Sequence, residues 1–132
     1  MRKPGSMILI RHRFTGQVLH SLPGRSPLYP LDLRGQDLSN VVLNCAELSY
    51  ANLESACLRG AKLREACLQG ANLKGADLSY TDLLGATLVQ ANCEGTLFYP
   101  CQMPKDAGAL WGATVTPETD IDMPPRPRFR WR

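Results

Sequence analysis

The chain has 132 residues, 44% of them hydrophobic but only 7% aromatic, and a net charge of +3. That length suits one small domain, and so few rings leave a core to be built from small aliphatic side chains. No run approaches the ~18 apolar residues of a membrane span, and the charge divides into basic ends (+5 over 1–30, +1 over 99–132) around a −3 middle, which excludes a uniformly basic nucleic-acid surface.

The first six residues, Met-Arg-Lys-Pro-Gly-Ser, are basic. The apolar stretch behind them is too short for a signal peptide, so a cytoplasmic location is expected. Residues 8–22 read as strand, turn, strand, with the turn at Thr15-Gly16. The prediction is a hairpin that plugs one end of the domain, making residues 1–30 an N-terminal cap and linker. Its two histidines, His12 and His20, are candidates to face each other across the hairpin. No third ligand accompanies them, so ordinary strand packing is the expected role and no metal is assigned. Three prolines and a glycine in residues 23–30 mark the linker.

The middle of the chain carries the strongest signal. Leucine recurs every five residues at 33, 38, 43, 48, 53, 58, 63, 68, 73, 78, 83 and 88, and Cys93 and Phe98 continue the register. Alanine stands two residues earlier at 46, 51, 56, 61, 66, 71, 76, 86 and 91. Neither the 3.6-residue helical period nor the 2.0-residue strand period produces this pattern. A period of five fits a chain that makes one short straight face and then turns.

The triplets Ala51-Asn52-Leu53, Ala71-Asn72-Leu73 and Ala76-Asp77-Leu78 resemble the A(D/N)LXX motif of the pentapeptide-repeat family. The resemblance covers residues 31–98, about half the chain. It implies an all-β solenoid: a right-handed quadrilateral β-helix with four pentapeptides, hence 20 residues, per coil. Leucine and alanine would point inward and the other three positions outward. Fourteen units then make about 3.5 coils, roughly 16 Å tall at ~4.8 Å per stacked strand.

Two features of the residues fit that geometry independently. Glycine stands two residues after the central position at 35, 60, 70, 75, 85 and 95, where a corner favours its backbone freedom. Steps of twenty also align Arg34, Glu54, Lys74 and Glu94 as a column of alternating charge, beside a column of Asn52, Asn72 and Asn92.

Residues 99–123 are predicted as a C-terminal cap, with a helical turn over 104–108 and Trp111 covering the last coil. Residues 109–115 half-resemble further repeat, out of register by two. The tail, residues 124–132, alternates Arg126, Arg128, Arg130 and Arg132 with Pro127, Phe129 and Trp131.

Catalysis needs a cleft with matched acid, base or nucleophile. An interior of alanine and leucine offers none, so no catalytic, cofactor-binding or metal-binding residue is expected. Five cysteines, at 45, 57, 67, 93 and 101, form no CxxC pair and read as reduced thiols. Cys57 and Cys67 are expected to face outward on opposite sides, and Cys93 to pack in the core. Tyr50, Tyr80, Leu84, Val89 and Val42 fall on outward or corner positions. The expected function is a non-catalytic protein–protein interaction or scaffold module, docking through Tyr50, Tyr80, Leu84 and Val89 or through Arg126, Arg128, Phe129, Arg130, Trp131 and Arg132. Homodimerisation through an end cap accompanies that reading. The family resemblance also implies a DNA-mimicking modulator of a type II topoisomerase such as gyrase, and the basic tail offers nucleic-acid binding as a third reading.

Overall fold

A computed structural model describes residues 7–23, 31–98, 100–105 and 107–114. Residues 126–132, which include every tail residue expected to dock, lie outside them.

The period of five becomes a period of twenty in space. Parallel bridges join Asp32 to Asn52, Asn72, Asn92 and Thr114 in one column. The other columns run Asp37–Cys57–Asp77–Leu97, Val42–Lys62–Asp82–Gln102 and Glu47–Cys67–Thr87. Four columns, one per pentapeptide, give the four faces of a β-helix.

Backbone hydrogen bonding explains why each position takes the residue it does. The central N–H and the one two residues later both donate to the next coil, as in Leu33 to the Asn52 carbonyl at 2.7 Å and Gly35 to the Glu54 carbonyl at 3.0 Å. The N–H before the central residue donates to the preceding coil, as in Asn52 to the Leu31 carbonyl at 2.8 Å. A turn closes each unit, as in Ala56 N–H to the Leu53 carbonyl at 3.0 Å. One donor per unit is left over, on the residue after the central one. In most units the side chain two positions before it takes that donor: Asp37 accepts from Ser39 N–H at 3.0 Å, Asn72 from Lys74 at 3.1 Å and Asp77 from Ser79 at 2.9 Å. This is the reason for Asp or Asn at that place in the motif. Lys62 has no acceptor to offer, and there Arg64 N–H bonds to Asn44 Oδ1 instead, at 2.9 Å.

Each unit up to the one centred on Cys93 then turns its corner through a left-handed residue. All thirteen positions from 35 to 95 in steps of five have φ between 59° and 74°, seven of them non-glycine. The left-handed region costs an L-residue about 1 kcal/mol, so Ser55 (φ 60°) and Gly75 (φ 68°), stacked in one column, should respond in opposite directions. Ser55→Gly is expected to stabilise by about 0.5–1 kcal/mol and Gly75→Ala to destabilise by about 1 kcal/mol, as read by denaturant unfolding.

The interior is filled by the central leucines from 33 to 88, by the alanines, and by Cys93 and Phe98. Thr81 and Thr96 take inward alanine positions and remain satisfied. Their hydroxyls donate to the carbonyls of Leu78 and Leu73, each at 2.6 Å.

Strands β1 (Met7–Arg11) and β2 (Val18–Pro23) form the expected antiparallel hairpin. Ile8 and Ile10 are buried in the same core as the coil leucines. The hairpin is also bonded to the first coil: Glu47 N–H donates to the Arg11 carbonyl at 2.6 Å, and Arg13 N–H to the Cys45 carbonyl at 2.7 Å. The histidines do not face each other. The regular register of the hairpin sets His20 opposite Ile10, a bulge follows between Ile10 and Arg11, and His12 bridges Ala46. His12 Nδ1 accepts from the N–H groups of Phe14 and Thr15 at 3.1 and 3.2 Å, fixing the turn.

Beyond Phe98 the ladder continues. Gln102 pairs with Asp82 twenty residues away and accepts from Leu83 N–H nineteen residues away, whereas Leu88 donates to Ala109 and Cys93 to Thr114, each twenty-one residues ahead. The register therefore slips by two between 102 and 109. The slip places Leu110 in the core and Trp111 one residue later, on an outward turn. Trp111 is 70% exposed and does not cover the coil; Ala109, Leu110 and Ala113 are the buried residues there. The short helix is a 3-10 turn at Ala107–Leu110, three residues later than expected. No helix among the described residues is long and apolar enough to cross a membrane.

Candidate functional site

With the interior full, the chemistry of this chain resides on its walls and corners. The outward residues expected to dock are dispersed over three corners. Tyr50 and Val89 lie on the corner that leads into the Asp32 column, Tyr80 on the corner after the Asp37 column, and Leu84 on the corner after the Val42 column. Tyr50, Tyr80 and Val42 are at least half exposed; Leu84 and Val89 are half-buried. They do not form one apolar patch.

Charge pairing departs from the expected column. Arg34 does not reach along the column to Glu54; its guanidinium closes on Asp32, two residues back in its own unit, with Nε and Nη2 each 2.9 Å from a carboxylate oxygen. Chain proximity favours that bidentate contact over a pair across coils. It holds the Asp32 carboxyl below its ordinary range, chiefly through the Arg34 side-chain hydrogen bonds. Asp37 is lowered as well, by the hydroxyl and then the N–H of Ser39. Asp82 is held by Arg64. The asparagine column is joined at one step, Asn72 Nδ2 donating to Asn52 Oδ1 at 3.3 Å.

The residue that sequence reasoning missed is Arg59. Its guanidinium lies over the Tyr80 ring, 4.5 Å from the centroid. The two are twenty-one residues apart, one coil and one step, so the twenty-residue grid already made them diagonal neighbours. Tyr80 separates two open grooves. One, of about 500 Å³, is lined by Asp37, Asn40, Cys57, Arg59 and Gly60. The other, of about 380 Å³, is lined by Asp82, Pro100, Cys101 and Gln102.

None of the five cysteines is in a disulfide. Cys67, expected to be solvent-facing, is only 7% exposed, stacked between Glu47 and Thr87. Burial pushes the Cys93 thiol up to about 12 and that of Cys101 up to about 11. The thiolate is the reacting form. A thiol-labelling reagent at pH 8 should therefore leave Cys93 and Cys101 unmodified in the native protein and modify both in denaturant, a difference that peptide mass spectrometry reads. Among the described residues no cluster of three His, Cys, Asp or Glu side chains is arranged to hold a metal.

Comparison with known proteins agrees with this architecture. The family model for pentapeptide repeats matches residues 31–65 and 66–99. Among solved structures, HetL, a pentapeptide repeat protein involved in heterocyst differentiation regulation from the cyanobacterium Nostoc sp. strain PCC 7120, is 35% identical with a TM-score of 0.58. That match covers 67% of this chain and 42% of HetL, so the chain spans about two-fifths of that relative's length. Rfr23, a pentapeptide repeat protein from the cyanobacterium Cyanothece 51142, is 33% identical over 77% of this chain and 72% of its own, with a TM-score of 0.43. QnrB1, a plasmid-mediated fluoroquinolone resistance protein, is 20% identical over 67% of this chain and 41% of its own, with a TM-score of 0.41, a likeness too distant to bear on function. No curated protein sequence matches the chain. The unbroken five-residue register, its four ladder columns and the family match together make this chain a member of the pentapeptide-repeat family.

Proposed function

We propose that this chain is a non-catalytic protein-interaction module, a short rigid prism whose walls and corners dock on another protein. One observation carries the reading. The inward positions of the repeat are packed with leucine and alanine, so what the molecule offers a ligand is its outer surface, held stiff by the coil-to-coil ladder. In this reading the β1–β2 hairpin closes one end of a stack of about three and a half coils, residues 99–123 serve as the cap of the other, and the tail over 124–132 contributes its basic residues. The wall charges favour a protein partner over mimicry of DNA: Arg34, Arg59, Lys62, Arg64 and Lys74 interrupt the carboxylates of the repeat. The unbridged thiols suit a reducing compartment such as the cytoplasm.

The test is an affinity pull-down from the native cell with the full chain and with a chain ending at Met123, each with and without nuclease. One protein retained in a fixed ratio after nuclease treatment is the expected result. Its loss from the shorter chain assigns docking to the tail; its retention assigns docking to the prism. Capture that nuclease abolishes transfers the function to nucleic acid, and capture of a type II topoisomerase transfers it to DNA mimicry.

A further inference from the structure

We infer that the corner formed by Arg59 and Tyr80 is the partner-docking site, and that it takes a carboxylate flanked by an aliphatic residue on an acidic segment of the partner protein. The inference rests on the interaction-module reading and names where, and by what chemistry, the module binds.

Three observations converge on this corner. The first is geometric. Tyr80 sits at a left-handed corner (φ 62°) and its N–H is bonded to the Pro100 carbonyl, so its backbone cannot drift. Tyr80 is 58% exposed, and the Arg59 guanidinium lies over its ring. A guanidinium with one face on a ring keeps its N–H fork in plane and available at the edge, the geometry that matches a planar carboxylate with two parallel hydrogen bonds.

The second observation is electrostatic. The acids around this corner already have partners: Asp37 is bonded to Ser39, Asp77 to Ser79 N–H, and Asp82 to Leu84 N–H and Arg64. Among the described residues the ion pairs are Arg34–Asp32 and Arg64–Asp82, and Arg59 belongs to neither. A positioned cation without a carboxylate is therefore complementary to an anion from outside.

The third concerns shape and selects the kind of anion. Open grooves lie on both sides of the Tyr80 ring. Asn40 and Gly60 meet in the floor of the first, the glycine leaving room for the Asn40 side chain, since any Cβ there would collide with Asn40 Oδ1. Asp37 lines one groove and Asp82 the other. Arg59 shares its groove with Asp37, which repels a doubly charged phosphate more strongly than a single carboxylate. A carboxylate on the Arg59 fork leaves an aliphatic neighbour to cover the exposed Tyr80. The chain's own tail, with its four arginines, has the wrong charge for this corner.

The experiment uses isotopically labelled full-length protein titrated with a capped heptapeptide of alternating glutamate and leucine. Arginine Nε–H and tyrosine ring resonances report binding at the side chains themselves. Saturating shifts confined to Arg59 and Tyr80 are expected. Arg59→Gln should weaken binding about tenfold, and Arg59→Lys should weaken it nearly as much, because lysine keeps the charge but not the fork. Tyr80→Asn, which tolerates the left-handed corner, should also weaken it. The site is overturned if Arg34 and Lys74 shift as much as Arg59, if Arg59→Gln binds the peptide unchanged, or if inorganic phosphate at equal ionic strength shifts Arg59 as strongly as the peptide. An Arg59→Gln chain that still retains its cellular partner in the pull-down sinks this site while leaving the interaction-module reading intact.

Discussion

Leu63→Ala should cost about 3–5 kcal/mol of unfolding free energy, the upper part of the range for a truncated core leucine. Leu63 lies mid-stack between Leu43 and Leu83, all three fully buried. The cost of such a truncation depends on how far the surroundings relax into the void. Here the walls are pinned: Leu63 N–H donates to the Asp82 carbonyl at 2.8 Å and Leu43 N–H to the Lys62 carbonyl at 2.7 Å. Closing the cavity would stretch those bonds, so the cavity stays open. Leu97→Ala is the control, an outward leucine that is 40% exposed and should cost less than about 1 kcal/mol. Urea denaturation of the two variants decides the matter. Equal losses would show that the inward–outward division of the repeat does not govern stability.

Ile10→Asp should do comparable damage from outside the repeat. Ile10 is fully buried in one continuous core with the coil leucines, and an unpaired carboxylate left in such surroundings costs about 3–5 kcal/mol. Against the ~5–15 kcal/mol that holds a small domain together, that approaches global unfolding. Ile10→Leu, which conserves volume, should cost less than about 1.5 kcal/mol. Circular dichroism during thermal melting separates two outcomes. Loss of the whole cooperative transition in the Asp variant makes the hairpin part of the folding unit. A β-helix that melts as before, with only the hairpin frayed, makes it an appendage.

How much of this was legible in the sequence depended on which interaction fixed each residue. The repeat was readable because burial is strictly periodic: a leucine or alanine inside at every fifth residue leaves an unambiguous trace. The corners were readable only where glycine occupied them. Asn40, Cys45, Tyr50, Ser55, Glu65, Tyr80 and Gln90 adopt the same left-handed backbone without the residue type that announces it, since the ladder on both sides fixes the turn whatever side chain it carries. The end of the repeat was blurred by the two-residue slip before Ala109. Trp111 looked like a lid because it is large and apolar, yet the slip gave the core position to Leu110. Side-chain pairing was the least legible part. Arg34 had Asp32 and Glu54 within reach, and the nearer partner along the chain won. Arg59 and Tyr80 meet only across coils, on a diagonal that a reading by columns passes over.

The left-handed corners carry a further consequence. At four of these corners the side chain leans onto a glycine of the coil that follows: Asn40 over Gly60, Tyr50 over Gly70, Glu65 over Gly85 and Gln90 over Gly112. Any β-carbon at Gly70 would run into the Tyr50 ring. The interior cannot tell one coil from the next, because leucine meets leucine whether a strand pairs twenty or forty residues along. The corners can. A stack slipped by a whole coil would set Tyr50 on Gln90 where a glycine is required. The information that orders the coils during folding is therefore written on the outside edges of the prism, and the hydrophobic core that stabilises the stack is indifferent to their sequence.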